Sequence, residues 1–113
     1  MSDKKQKNAE ESLQEKLKAI KDEDGIIGYI VRDEKSASID LKDPTKIIDY
    51  AVLSSTSFDV AQNIAETLQI GEVDKIIVES EETKLMSMKL DNKLLSIFMA
   101  QTVDHNKLYE ELR

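Results

Sequence analysis

The stretch from Asp43 to Gly71 constrains this chain more than any other, because it predicts one long helix carrying two apolar stripes. Asp43 offers an N-cap acceptor, and Pro44 an imino acid whose missing N–H costs nothing at the first helical position. Gly71 is the expected stop. Between them Ile47, Ala51, Ser54, Phe58, Ala61, Ala65 and Leu68 recur at three- and four-residue steps, which puts them on one face. Leu53, Ser57, Val60 and Ile64 recur likewise on an adjacent face. At about 100° per residue the joint arc spans roughly 180°, against the stripe of about 100° that one packing surface requires. A single sheet beneath this helix leaves the second stripe uncovered. In a chain of 113 residues the expected cover is a second copy of the chain. Periodicity leaves open which stripe takes the sheet and which the second copy.

At this length the chain forms one domain and buries about two-thirds of its unfolded surface. A net charge of −7 and a pI near 4.7 argue against a nucleic-acid partner, since phosphate neutralisation supplies most of that affinity. There are no cysteines, hence no disulfide framework, thiolate nucleophile or thiolate metal site. Met-Ser-Asp-Lys-Lys at the start has no apolar run behind it, so no signal peptide is expected. The longest apolar stretch, Leu94 to Ala100, is far too short to span a bilayer. The expectation is a cytoplasmic protein without membrane insertion. Residues 1–8, with Lys4, Lys5 and Lys7, are expected to be a disordered basic tail.

Along the chain, Asn8 and Glu11 resemble a capping box ahead of a helix with a narrow stripe of Leu13, Leu17 and Ile20. That helix ends near Asp24-Gly25. Ile26 to Val31 is nearly continuously apolar, which predicts a strand covered on both faces. After the turn Asp33-Glu34-Lys35, Ser36 to Leu41 alternates, with Ala37, Ile39 and Leu41 inward, as on a strand near a sheet edge. Beyond the long helix, Val73 to Val78 and Leu85 to Leu90 read as strands, the latter with Met86, Met88 and Leu90 on one face. Asp91-Asn92 connects to Leu94–Ala100, apolar on both faces and therefore central. A short helix follows from Asp104, with Val103 and Leu108 in hydrophobic-staple positions. The order α-β-β-α-β-β-β-α predicts an α/β (α+β) sandwich. Its five-stranded, mostly antiparallel sheet carries the long helix on one face and the two shorter helices on the other.

No catalytic constellation emerges. His105, the one histidine, sits at a helix start among Asp104, Asn106 and Lys107, and is expected on the surface. Asp22-Glu23-Asp24-Gly25 lacks the spacing of a calcium loop, because Val31 stands where the closing glutamate belongs. Glu79, Glu81 and Glu82 at a turn tip repel one another and stay solvated. The three glycines form no phosphate-binding loop. Ser54, Ser55, Thr56 and Ser57 are expected to permit close helix packing rather than to supply a nucleophile. No cofactor and no metal are expected. On the outer arc lie Asp49, Thr56, Asp59 and Asn63, with Ile48 and Val52 as an apolar pair among them. Apolar anchors with a polar rim are how interfaces gain energy, so these six are the expected partner-binding residues.

Asp24-Gly25-Ile26-Ile27-Gly28-Tyr29-Ile30-Val31-Arg32-Asp33 resembles the opening of the roadblock / dynein light chain domain, whose first strand carries a Gly-hydrophobic-x-Gly signature. The passage Leu68-Gln69-Ile70-Gly71-Glu72-Val73-Asp74-Lys75-Ile76-Ile77-Val78 is similar to that family's helix-to-strand connection, and Ile97-Phe98-Met99-Ala100 to its last strand. The likeness covers residues 9–113 and departs at the first hairpin, where Asp33-Glu34-Lys35 lacks the usual turn glycine. It implies a homodimer, or a heterodimer with a related chain, in which long helices and third strands meet across a twofold axis. The expected interface then comprises Leu53, Ser57, Val60, Ile64, Ile76 and Val78. The resemblance further implies a non-catalytic adaptor or regulator of a small Ras-like GTPase, as in the prokaryotic member that stimulates GTP hydrolysis by a gliding-motility GTPase. The alternative is a dimeric scaffold or motor-type light chain that tethers a larger protein without GTPase involvement.

Overall fold

The computed structural model describes residues 13–90 and 92–112. The basic tail and the Asn8–Glu11 cap lie outside them. Helix α1 runs over residues 13–21 and is followed by β1 (Ile26–Arg32) and β2 (Ala37–Leu41). A 3-10 turn (Pro44–Lys46) leads into α2 (Ile47–Leu68). Strands β3 (Lys75–Glu79), β4 (Thr83–Leu90) and β5 (Lys93–Ala100) and helix α3 (His105–Leu112) complete the order. The strands form one sheet in the order β2-β1-β5-β4-β3, and all four pairings are antiparallel.

The two faces are covered differently. Leu17 and Ile20 of α1 and Leu108 and Leu112 of α3 pack on Tyr29, Met86, Met88, Leu95, Ile97 and Met99. On the opposite face Ile47, Tyr50 and Ala51 of α2 pack against Ile30, Leu41, Leu85 and Phe98. The Tyr50 and Phe98 rings stand 4.4 Å apart, centre to centre. Strands β1 and β5 are therefore buried on two sides, as their nearly continuous apolar runs predict. A bulge between Ile26 and Gly28 shifts the register against β5. It turns Ile26 toward α1 and α3 although Gly28 and Ile30 belong to the α2 side. Gly28 itself lies so close to β2 that a Cβ would collide with the Asp40 carbonyl oxygen and stand 2.7 Å from the Leu41 Cα.

Local chemistry accounts for the connections. The glycine-free first hairpin closes through Asp33, whose carboxylate accepts the N–H groups of Lys35 and Ser36 at 2.8 Å each. Those two bonds hold the Asp33 carboxyl below its ordinary pKa, the Lys35 bond contributing most. Asp43 accepts from the hydroxyl and N–H of Thr45, as an N-cap should, but the first turn it caps is 3-10 rather than α. Asp104 accepts from Asn106 N–H and Lys107 N–H, and Val103 packs in the same cluster as Leu108, so the predicted staple forms.

Helix α2 stops earlier than Gly71. Gln69 takes the left-handed conformation at φ 55°, with its N–H on Glu66 and that of Ile70 on Ala65. This is a Schellman arrangement in which glutamine occupies the position usually given to glycine. Gly71 is also left-handed, at φ 100°, two residues later in the connection. The third strand consequently begins at Lys75 instead of Val73. Ala37, expected inward, is exposed, because it pairs with Arg32 at the hairpin end of an edge strand.

Candidate functional site: the exposed surfaces of the long helix

Ser54, Phe58 and Ala65 are buried against the sheet, and Ile47, Ala51 and Ala61 are half-buried. The first of the two stripes therefore takes the sheet. Leu68 departs from it and is 62% exposed. At about 100° per residue it lies about 60° from Ala65 around the helix, toward the second stripe.

The second stripe faces solvent. Leu53, Val60 and Ile64 are 41%, 50% and 53% exposed, and Ser57 is half-buried. Val60, Ile64 and Leu68 line a shallow depression of about 380 Å³ with Asn63 and Thr67. Beyond the helix end Ile70 is exposed, and on β3 Val78 is exposed and Ile76 half-buried. Ile76 and Val78 lie opposite Ser87 and Leu85, which are on the α2 side of β4. The apolar flank of α2 and that face of β3 thus adjoin, and among the described residues β3 is an edge strand with one side unpaired.

Ile48 and Val52 are 77% and 60% exposed. They point to the other flank of α2, about 120° from the second stripe. Asp49, Thr56, Asp59 and Asn63 are all exposed between the two flanks. The helix therefore presents two separate apolar surfaces divided by a polar ridge. All twelve predicted surface residues lie on α2 or the adjoining face of β3, but Ile76 and Ser57 are half-covered.

Two sites differ from expectation. The hydroxyl cluster does not pack as a unit. Ser54 is buried and its Oγ hydrogen-bonds that of Ser96, whose Oγ lies 2.7 Å from Ser87 Oγ. Ser55 instead accepts from Arg32 Nη1 at 3.0 Å, and Thr56 is exposed. Helix twist alone explains the split, since neighbouring residues point about 100° apart. His105 is half-buried rather than free on the surface. Its Nδ1 stands 3.0 Å from Nζ of Lys84, a lysine 6% exposed on β4. An ammonium has no acceptor, so Lys84 donates and the ring nitrogen accepts. The signal that sequence could have offered is Lys84 itself, a charged residue in phase with Met86 and Met88.

Among the described residues no group of three His, Cys, Asp or Glu side chains could hold a metal ion. No helix among them is long and apolar enough to cross a membrane. Glu79, Glu81 and Glu82 are exposed, and the Asp22–Asp24 acids likewise.

A five-stranded antiparallel sheet with one long helix on one face and two helices on the other, in this order, is the roadblock/LC7 fold. The chain is similar to a Roadblock/LC7 domain from Streptomyces avermitilis, at 16% identity and TM-score 0.65, over 78% of this chain and 77% of that one. It is likewise similar to the gliding protein MglB from Thermus thermophilus, at 18% identity and TM-score 0.67, over 89% and 80%. A structure of MglB with a tetrameric arrangement matches at 18% identity and TM-score 0.68, over 89% and 79%. At such identities the likeness is one of fold. No family model matches the sequence, and no curated protein matches it.

Proposed function

We propose that this protein is a dimeric, non-catalytic adaptor that binds a small Ras-like GTPase and modulates its GTP hydrolysis. The observation that carries the reading is the exposed apolar flank of Leu53, Val60, Ile64 and Leu68, continuous with Val78 on a strand edge that no other described strand pairs. Fully burying an exposed side chain of this kind is worth about 1.5–3 kcal/mol, and these are 39–62% exposed, so a second copy set on this flank gains roughly half of that increment from each. Self-pairing through Leu53, Ser57, Val60, Ile64, Ile76 and Val78 leaves Ile48, Val52, Asp49, Thr56, Asp59 and Asn63 available to another protein. The GTPase as that protein is supported by the family resemblance and by the shared fold with MglB. A related roadblock-type chain could replace one copy, and a tetrameric arrangement such as the one named for MglB would use further surface.

No arginine lies on the exposed arc of α2, so hydrolysis would be stimulated by positioning the GTPase's own residues rather than by a supplied arginine finger. The test is sedimentation of the purified chain alone and with each Ras-like GTPase of the same genome, loaded with GDP or a non-hydrolysable GTP analogue. Expected are a dimer alone and a nucleotide-dependent complex with one GTPase. A stable monomer at high micromolar concentration, or no complex in any nucleotide state, overturns the reading. A dimer that binds none of the GTPases favours the tethering scaffold instead.

A further inference from the structure

We propose that the cleft between the middle of α2 and the two hairpin ends of the sheet is a docking site for a carboxylate-bearing segment of a partner protein, with an apolar side chain beside the acid. The proposal does not rest on self-pairing or on a GTPase. The cleft has a volume of about 400 Å³ and is walled by Arg32, Lys89, Lys93 and Leu94, with Phe58 as its floor. It lies away from the apolar flank that would pair two copies.

Arg32 carries the inference. It is half-buried at the end of β1, in phase with Ile30 and therefore on the α2 side of the sheet. Its guanidinium donates from Nη1 to the neutral hydroxyl of Ser55 at 3.0 Å. Among the described residues no carboxylate is set against Arg32, and the ion pair of Lys21 with Asp40 lies elsewhere. A guanidinium offers five N–H donors in a rigid fork matched to a carboxylate, and one bond to a hydroxyl leaves most of the fork open. Partial burial raises the demand, because the charge has lost some of its water. Ser55 fixes the fork without neutralising it, which makes Ser55 a positioning residue.

The surroundings select the ligand. Lys89 Nζ lies 5.5 Å above the Phe58 ring, adding a second cation over an apolar floor. Asp33, also at the cleft, is occupied within its own turn by Lys35 and Ser36, and Lys93 acts on it electrostatically. Asp33 and exposed Glu34 place negative charge on the rim, which repels a multiply charged phosphate more than a single carboxylate. Phe58 is only 3% exposed, too covered to stack a nucleobase. Half-buried Leu94 supplies the contact for a neighbouring apolar side chain.

The experiment is an NMR titration of the full, ¹⁵N-labelled chain with the capped peptide Gly-Leu-Glu-Leu-Gly, its glutamine counterpart, and inorganic phosphate. Shifts are expected at Arg32, Ser55 and Lys89 with the glutamate peptide, and affinity at least tenfold lower for the glutamine peptide and for Arg32→Gln, as loss of a charge-assisted bidentate pair implies. The glutamine control needs no variant, so misfolding of Arg32→Gln cannot hide the answer. Ile64→Asp, which targets the pairing flank, is expected to bind the peptide unchanged. The proposal is overturned if millimolar glutamate peptide moves none of these amides, if the glutamine peptide binds equally, or if phosphate binds as tightly as the peptide.

Discussion

The hydroxyl of Ser54, in the first half of α2, meets that of Ser96 at the centre of the sheet, 42 residues further along the chain. Ser96 bonds in turn to Ser87 on β4, and all three side chains are buried. A line of three hydroxyls thus crosses from helix to sheet among the apolar side chains on the α2 face. Ser96 in the middle donates to one neighbour and accepts from the other, and the two bonds fix where along the sheet α2 sits.

Ser96 is the middle member, and its removal strands two partners, whereas loss of Ser54 leaves the Ser87–Ser96 bond intact. Ser54→Ala is expected to cost about 1 kcal/mol and Ser96→Ala more, about 2 kcal/mol. Urea denaturation of the two variants measures the difference. Equal costs would show that the hydroxyls act independently of one another.

Gly28→Ala is expected to be severe. The added Cβ would run into the Asp40 carbonyl oxygen and stand 2.7 Å from the Leu41 Cα, backbone atoms that move only if β2 moves. A loss of about 3 kcal/mol or more, with loosened β1–β2 pairing in amide exchange, is the expected result. A variant within about 1 kcal/mol of the parent, on the same scale, would contradict so close an approach.

The helix end offers a stabilising change. Gln69 holds a left-handed φ of 55° that glycine adopts without penalty, so Gln69→Gly should raise stability by about 1 kcal/mol. Gly71→Ala tests the same physics in reverse. Nothing stands within 4 Å of its added Cβ, so any loss comes from the backbone at φ 100° alone. Thermal melting should move upward for the first and downward for the second.

For self-pairing, Ile64→Asp should weaken association by at least about 100-fold, since it removes an apolar anchor and places a charge in the contact. Ile48→Asp, on the opposite flank, should leave association untouched. Sedimentation equilibrium reads both. The same loss from Ile48→Asp would relocate the interface.

Two exposed carboxyls set part of the acid response. The Asp33 carboxyl is held below its ordinary value by the N–H of Lys35 and then of Ser36, and Asp43 by the hydroxyl and then the N–H of Thr45. A depressed pKa adds stability that is complete above the unfolded value of 3.8 and fades as pH falls through the folded value. Asp33→Asn and Asp43→Asn should therefore flatten the loss of stability below about pH 4 while changing its slope little near neutrality. Tyr29 has the opposite sense. Burial, then Asp40, raise its pKa above 10.0, so its contribution is complete below the unfolded value of 10.0 and is lost as pH rises through the higher folded value. Tyr29→Phe should flatten the alkaline limb of the same stability curve.

Much of this architecture is local and could be read along the chain. Alternation marked β2 as half-covered, nearly continuous apolar runs marked β1 and β5 as covered on both faces, and Val103-Asp104-Leu108 announced α3 with its cap and staple. The surplus of apolar surface on α2 was also legible, because periodicity counts stripes without knowing what covers them. Tertiary structure decided the rest. It set Ser54 on Ser96, gave Lys84 a partner in His105, left Arg32 with a hydroxyl, and turned Ile64 rather than Ala65 to solvent. Each of those facts depends on which strands neighbour one another and in what register. Spacing within a single segment carries no record of that, since strand order and register are properties of pairs of segments far apart in the chain.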